Sequence, residues 1–152
     1  MKGISWLALV LAALAGSDSR PAAQSRRPDF SGSWKLTSSS GSGGSPSRLT
    51  IVQKDATLTV TAGERIRTYN LDGADTEVRE VYPNTAATHT SQARWVGSAL
   101  IIATTTATSS IGTWQDMDVY SLDYGPKLVV VRVVTQTTSP MMATTTGVYE
   151  RN

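Results

Sequence analysis

Two short segments space ionisable side chains the way a β-strand presents them. Arg65-Ile66-Arg67-Thr68-Tyr69 sets two guanidinium groups and a phenol at alternate positions, and Asp116-Met117-Asp118-Val119-Tyr120 does the same with two carboxylates. Side chains two apart on a strand share a face. If Tyr69 and Leu71 face a core, so do Arg65 and Arg67; if Tyr120 and Leu122 face it, so do Asp116 and Asp118. A charge taken out of water is costly unless it is paired, so such groups must meet one another, a ligand, or water in an open mouth. One reading gives Arg67 an anionic head group to hold while Tyr69, Trp95 and Tyr120 line an apolar pocket. The other lets a bulge shift the register and leaves the four charged residues at a rim or in solvent. Trp114, just after Ile111-Gly112-Thr113, either gates such a pocket or covers the core edge. With Tyr149 from the last strand, the ligand-binding candidates are Arg67, Tyr69, Trp95, Trp114, Tyr120 and Tyr149.

Other chemistry finds little support. His89, the single histidine, stands between Thr88 and Thr90 and is expected to be a surface imidazole. There is no Gly-x-Ser-x-Gly nucleophile motif, and no second histidine or cysteine to complete a metal site. Asp116 and Asp118 imitate a paired-carboxylate acid/base site, but that spacing also recurs on solvated strands. No catalytic residue, metal ligand or cofactor is assigned. The Ser/Gly run from Ser38 to Ser47 lacks the lysine and the following helix of a phosphate-binding loop, and reads as a flexible loop. A net charge of +2 from scattered residues gives no basic stripe, so no nucleic-acid partner is expected. A protein partner is not readable.

The N-terminus has its own signature. Lys2, the apolar run Ile4 to Leu14 and the small-residue pattern Ala13-Leu14-Ala15 read as a secretory signal peptide over residues 1–24, cut after Ala15 or near Gln24. A membrane span needs roughly 20 apolar residues, so this run is too short to anchor the chain, and the mature part carries no span. Arg26-Arg27 follows the run and does not precede it, unlike a twin-arginine signal. The expected location is periplasmic or secreted. Residues 25–152 make a single domain that must hold itself together without disulfides, because there is no cysteine.

Past Pro28, threonine, valine and serine dominate and helix-period apolar spacing is absent. The pattern predicts strands at Phe30 to Leu36, Arg48 to Lys54, Thr57 to Thr61, Arg65 to Leu71, Thr76 to Tyr82, His89 to Val96, Ala99 to Thr106, Trp114 to Leu122, Lys127 to Val134 and Thr144 to Arg151. Hairpin-length links at Asp55-Ala56, Asp72-Gly73, Gly97-Ser98 and Asp123-Tyr124-Gly125-Pro126 force antiparallel neighbours. The expected fold is all-β, an antiparallel up-and-down meander whose first and last strands pair to close a small barrel and remove both edges. Lys127 to Val134 is apolar on both faces apart from Arg132, so it is expected to be covered on both sides or to be loose in register. Met141 and Met142 are read as gap-fillers at the barrel end.

Phe30-Ser31-Gly32-Ser33-Trp34-Lys35-Leu36 resembles the opening strand of intracellular fatty-acid-binding proteins, and Gly32-Ser33-Trp34 is similar to the Gly-x-Trp signature of lipocalins and avidins. Val148-Tyr149-Glu150-Arg151 resembles the closing strand of the fatty-acid binders. The wider likeness is to secreted bacterial lipocalin-like proteins of the calycin group. It rests on the opening strand, Ala93-Arg94-Trp95-Val96-Gly97, Tyr69-Asn70-Leu71-Asp72-Gly73 and the Val-Tyr-Glu ending. The resemblance implies a lipocalin-like barrel with Trp34 plugging one end and Arg151 packed over it. Two departures stand out: a loop replaces the helical lid between the first strands, and Gly147 stands where the fatty-acid binders carry a carboxylate-gripping arginine. Three function classes remain: an exported barrel binding a small apolar or amphipathic ligand, an envelope or extracellular interaction module with a filled barrel, and, least supported, an enzyme.

Overall fold

The computed structural model describes residues 27–123, 126–136 and 139–152, so the leader lies outside the described residues. Ten strands follow one another: β1 (Gly32–Gly41), β2 (Arg48–Lys54), β3 (Thr57–Ala62), β4 (Arg65–Asn70), β5 (Thr76–Tyr82), β6 (Thr85–Val96), β7 (Ala99–Thr108), β8 (Gly112–Asp123), β9 (Lys127–Gln136) and β10 (Ser139–Arg151). They form one antiparallel sheet in the order β4-β3-β2-β1-β10-β9-β8-β7-β6-β5. As expected, the first and last strands zip together, with Trp34 opposite Arg151 and Leu36 opposite Tyr149. Several strands run past their expected ends. β1 continues to Gly41, β6 begins at Thr85 and β7 reaches Thr108, because serine and threonine accept an extended backbone and each finds a partner in the neighbouring ladder.

Alternation sorts the two faces. In β2, Leu49 and Ile51 are buried between exposed Arg48, Thr50 and Val52; in β3, Leu58 and Val60 are buried; in β7, Leu100 and Ile102 are fully enclosed. β9 departs from expectation. Leu128, Val130 and Arg132 point inward, while Val129, Val131 and Val133 stand half-exposed on the outer face with no second layer over them among the described residues. The register of β9 is continuous against β8, so its apolar outer side is neither covered nor slipped. Met142 is 70% exposed and fills no gap.

One end of the barrel is packed solid. Phe30 and Trp34 are wholly buried, the Trp34 indole N–H donates to the Phe30 carbonyl at 2.9 Å, and Phe30 stacks on Trp95 at 5.8 Å with an interplanar angle of 6°. Arg151 lies over the Trp34 ring at 4.9 Å, as the resemblance implies. Gly32 makes this possible: its φ of +147° is unfavourable for a residue with a Cβ, and a Cβ there would sit 3.4 Å from Arg151 Nε.

The meander stops short of full closure at β4 and β5. Asp72-Gly73 predicts a paired hairpin, yet β4 and β5 share no ladder. Leu71 is the reason. Its side chain is buried and its N–H donates to the Ala56 carbonyl at 2.7 Å, which ties the end of β4 to the β2–β3 turn. Asp72 then accepts from the Ala74 N–H at 2.9 Å, and the Asn70 N–H is taken by Thr76 Oγ1 at 3.2 Å. The last backbone donor of β4 is thereby spent on a side chain. The molecule is a nearly closed antiparallel barrel compatible with a calycin-like fold.

Candidate functional site

The end opposite the aromatic plug is polar, and alternation puts it there. Arg65, Arg67 and Tyr69 share a face of β4; Asp116, Asp118 and Tyr120 share one of β8; Leu128, Val130 and Arg132 share one of β9. The bulge that would turn the charges outward does not occur, since the β7–β8 and β8–β9 registers run unbroken through Asp116 and Asp118, but Arg65, the first residue of β4, is exposed at the rim. Asp118 stands directly opposite Arg132 and takes a bidentate pair from it at 2.7 and 2.9 Å. That contact raises the already high pKa of the guanidinium.

Across the open seam, Arg67 Nη1 lies 2.6 Å from Glu80 Oε1. His89 joins the same carboxylate, its Nε2 3.2 Å from Glu80 Oε2 and its Nδ1 2.9 Å from Thr106 Oγ1. The expectation of a surface imidazole is therefore overturned. His89 opposes buried Thr106 in the ladder, its side chain is only 15% exposed, and its position in β6 points it inward. Sequence reasoning missed this because the flanking threonines mark neither face as apolar.

Two chambers open among these groups. The first, of about 90 Å³, has apolar walls from Leu49, Val60, Ala62 and Val130, phenols from Tyr69, Tyr120 and Tyr149, and Arg65 among its charged residues. The second, of about 150 Å³, shares Arg65, Arg67, Tyr69, Asp118 and Arg132 with it, and adds His89, Thr104, Thr106, Trp114 and Asp116. Burial pushes the Tyr69 phenol up to about 12, assisted by the Asp118 carboxylate. Burial likewise holds Tyr120 well above its usual range, and it raises Tyr149 against the opposing effect of the neighbouring Ser45 hydroxyl. The Asp116 carboxyl is also pushed up, first by burial, against the pull of Arg132.

The Ser/Gly segment is no loose linker. Ser38 to Gly41 belong to β1, and Gly44, Ser45 and Pro46 line the first chamber. Gly43 N–H donates to Thr145 Oγ1 at 2.9 Å, Ser42 N–H to the Thr144 carbonyl at 3.3 Å, and Ser39 Oγ to Ser45 Oγ at 3.0 Å. Gly147, the departure from the fatty-acid binders, has a local cause. A Cβ there would lie 2.8 Å from Tyr149 Cε2 and 3.0 Å from Ser45 Oγ, so the space beside Gly147 is taken by the tyrosine ring and by Ser45 of the segment lining the chamber.

Of the six candidate residues, Arg67, Tyr69, Tyr120 and Tyr149 line the first chamber, and Trp114 lines the second beside Arg67 and Tyr69. Trp95 lines neither. It belongs to the packed end, under Arg27 at 5.5 Å, and its buried Nε1 has no hydrogen-bond partner among the described residues. Arg67 is inside, but Glu80 already neutralises it. Arg65, one alternation away, is the lining cation with no ion-pair partner within 4 Å among the described residues. Arg132 carried a signal in the sequence: it is the one charge at the parity of Leu128 and Val130 in an otherwise apolar strand. No group of three or more histidine, cysteine or carboxylate residues that could hold a metal occurs among the described residues. No helix there is long and apolar enough to cross a membrane.

The class defined by fold and site is a ten-stranded, nearly closed antiparallel barrel with one plugged end and one polar, chambered end. In comparisons with known proteins, no family model matches the chain and no curated protein matches it.

Proposed function

We propose that the chain is an exported, lipocalin-like binding barrel for a small amphipathic molecule with an acidic head. The observation that carries this reading is the first chamber, where Leu49, Val60, Ala62 and Val130 meet Arg65, a guanidinium with no acidic partner among the described residues. An acid seated there gains charge-assisted hydrogen bonds while its apolar part leaves water. The chambers are about 90 and 150 Å³, against roughly 300–1,000 Å³ for a typical ligand pocket, so cargo the size of a long-chain fatty acid does not fit. A cavity of about 150 Å³ takes benzene, more than the first chamber holds alone, so a guest of that scale must reach from the first chamber into the second along their shared Arg65, Arg67 and Tyr69 wall. Benzoate is the matching probe. Calorimetric titration should show it binding, and Arg65→Gln should weaken it about tenfold while leaving the fold intact. Unchanged affinity in the variant rejects the reading.

The small interior favours a second reading, a filled barrel that meets another protein. The half-exposed Val119, Val131 and Val133 on the outer face of β8 and β9 support it. Native mass spectrometry of protein from its source separates the two, since a carrier retains a small molecule and a filled module does not. Export is tested by the mass of the mature chain, expected to start after Ala15 or near Gln24.

A further inference from the structure

We infer that the second chamber supplies an opposite pole, so that the preferred guest is a zwitterion carrying an ammonium as well as a carboxylate. The inference rests on the binding-barrel reading and narrows its ligand class. The chamber's charges pair off almost completely: Arg132 with Asp118, and Arg67 with Glu80, which also holds His89. Two charges on its walls remain. Arg65, exposed at the chamber mouth, has no carboxylate within 4 Å, and Asp116 has no cation within 4 Å, among the described residues.

Asp116 is half-buried, and burial raises its pKa, meaning that lost hydration of the carboxylate is not made good by the surrounding protein. The groups around it are mixed: Arg132, His89 and the Trp114 indole favour the carboxylate, and Asp118 opposes it. An incoming ammonium restores what burial removed, at the same time as the guest's carboxylate meets Arg65. Trp114 and Tyr69 stand on the same walls and put aromatic surface beside a bound cation or flat ring. A simple acid uses one pole and leaves Asp116 as it was. A simple amine leaves Arg65 as it was.

The test compares benzoate, benzylamine, para-aminomethylbenzoate and phenylalanine by calorimetry at pH 7 on the whole chain, with Asp116→Asn and Arg65→Gln beside the native protein. The expected result is that at least one zwitterion binds about tenfold tighter than benzoate, and that Asp116→Asn removes this advantage while benzoate affinity is kept. Retained benzoate binding also shows that the variant is folded. If benzoate binds but neither zwitterion exceeds it, or if the advantage survives Asp116→Asn, the second pole is refuted and the acid-binding reading stands. If benzoate and both zwitterions fail to bind the native protein, the parent reading falls and takes the inference with it.

Discussion

The seam between β4 and β5 makes the strongest energetic prediction, because side chains there do what a backbone ladder does elsewhere. Arg67 and Glu80 meet at 2.6 Å with side-chain exposures of 14% and 27%, so neither is more than a third in solvent. A hydrogen bond to a charged group at such a site is worth roughly 1.5–3 kcal/mol. Arg67→Met removes it but leaves Glu80 its contact with His89, which softens the loss, so the expected cost is about 2 kcal/mol. Glu80→Gln should cost a similar amount, and the double variant little more than either. The coupling energy from the four-protein cycle is then about 1–2 kcal/mol. The Lys127–Glu150 pair is the internal control. At 3.4 Å, with exposures of 47% and 52%, it should couple by roughly 0.3 kcal/mol or less. Urea unfolding of both cycles at pH 7 gives the energies, and hydrogen exchange should rise along β4 and β5 in Arg67→Met before it rises elsewhere. A seam coupling no larger than that of the surface pair would falsify the claim that this ion pair completes the barrel wall.

Two further outcomes follow from local geometry and titration. Gly147→Ala drives a methyl group into the Tyr149 ring and Ser45, and should cost about 1–3 kcal/mol while loosening the segment around Ser45, read as faster exchange at Gly43; native stability in that variant contradicts the seat assigned to Tyr149. The Tyr69 pKa is raised from 10.0 to about 12, so its neutral form stabilises the fold fully below pH 10, and that contribution is lost as pH rises toward 12. A shift of that size is worth about 2–3 kcal/mol, so Tyr69→Phe should flatten this part of the alkaline stability curve, and a curve of unchanged slope shows that Tyr69 titrates as an ordinary phenol.

The sequence by itself determined the ten strands in outline, their antiparallel order apart from the β4–β5 seam, and the pairing of the two ends. Those depend on local quantities: period-two alternation, threonine and valine backbone preference, and short links. Which charges share a face followed from alternation only once the unbroken β3–β4, β7–β8 and β8–β9 registers had excluded a bulge. Tertiary structure alone decided what those charges meet. Glu80 reaches Arg67 across a gap that no ladder spans, so no register rule reveals it, and it moves the unpaired cation from the expected Arg67 to Arg65. His89 was illegible because threonines surround it, and its inward aim follows only from the β6–β7 register. Trp95 and Tyr120 share inward parity, yet one belongs to the packed end and the other lines a chamber. Parity gives the face of a sheet but not the height in a barrel. Height depends on how all ten strands stagger against one another, which is a property of the closed sheet and of no single segment.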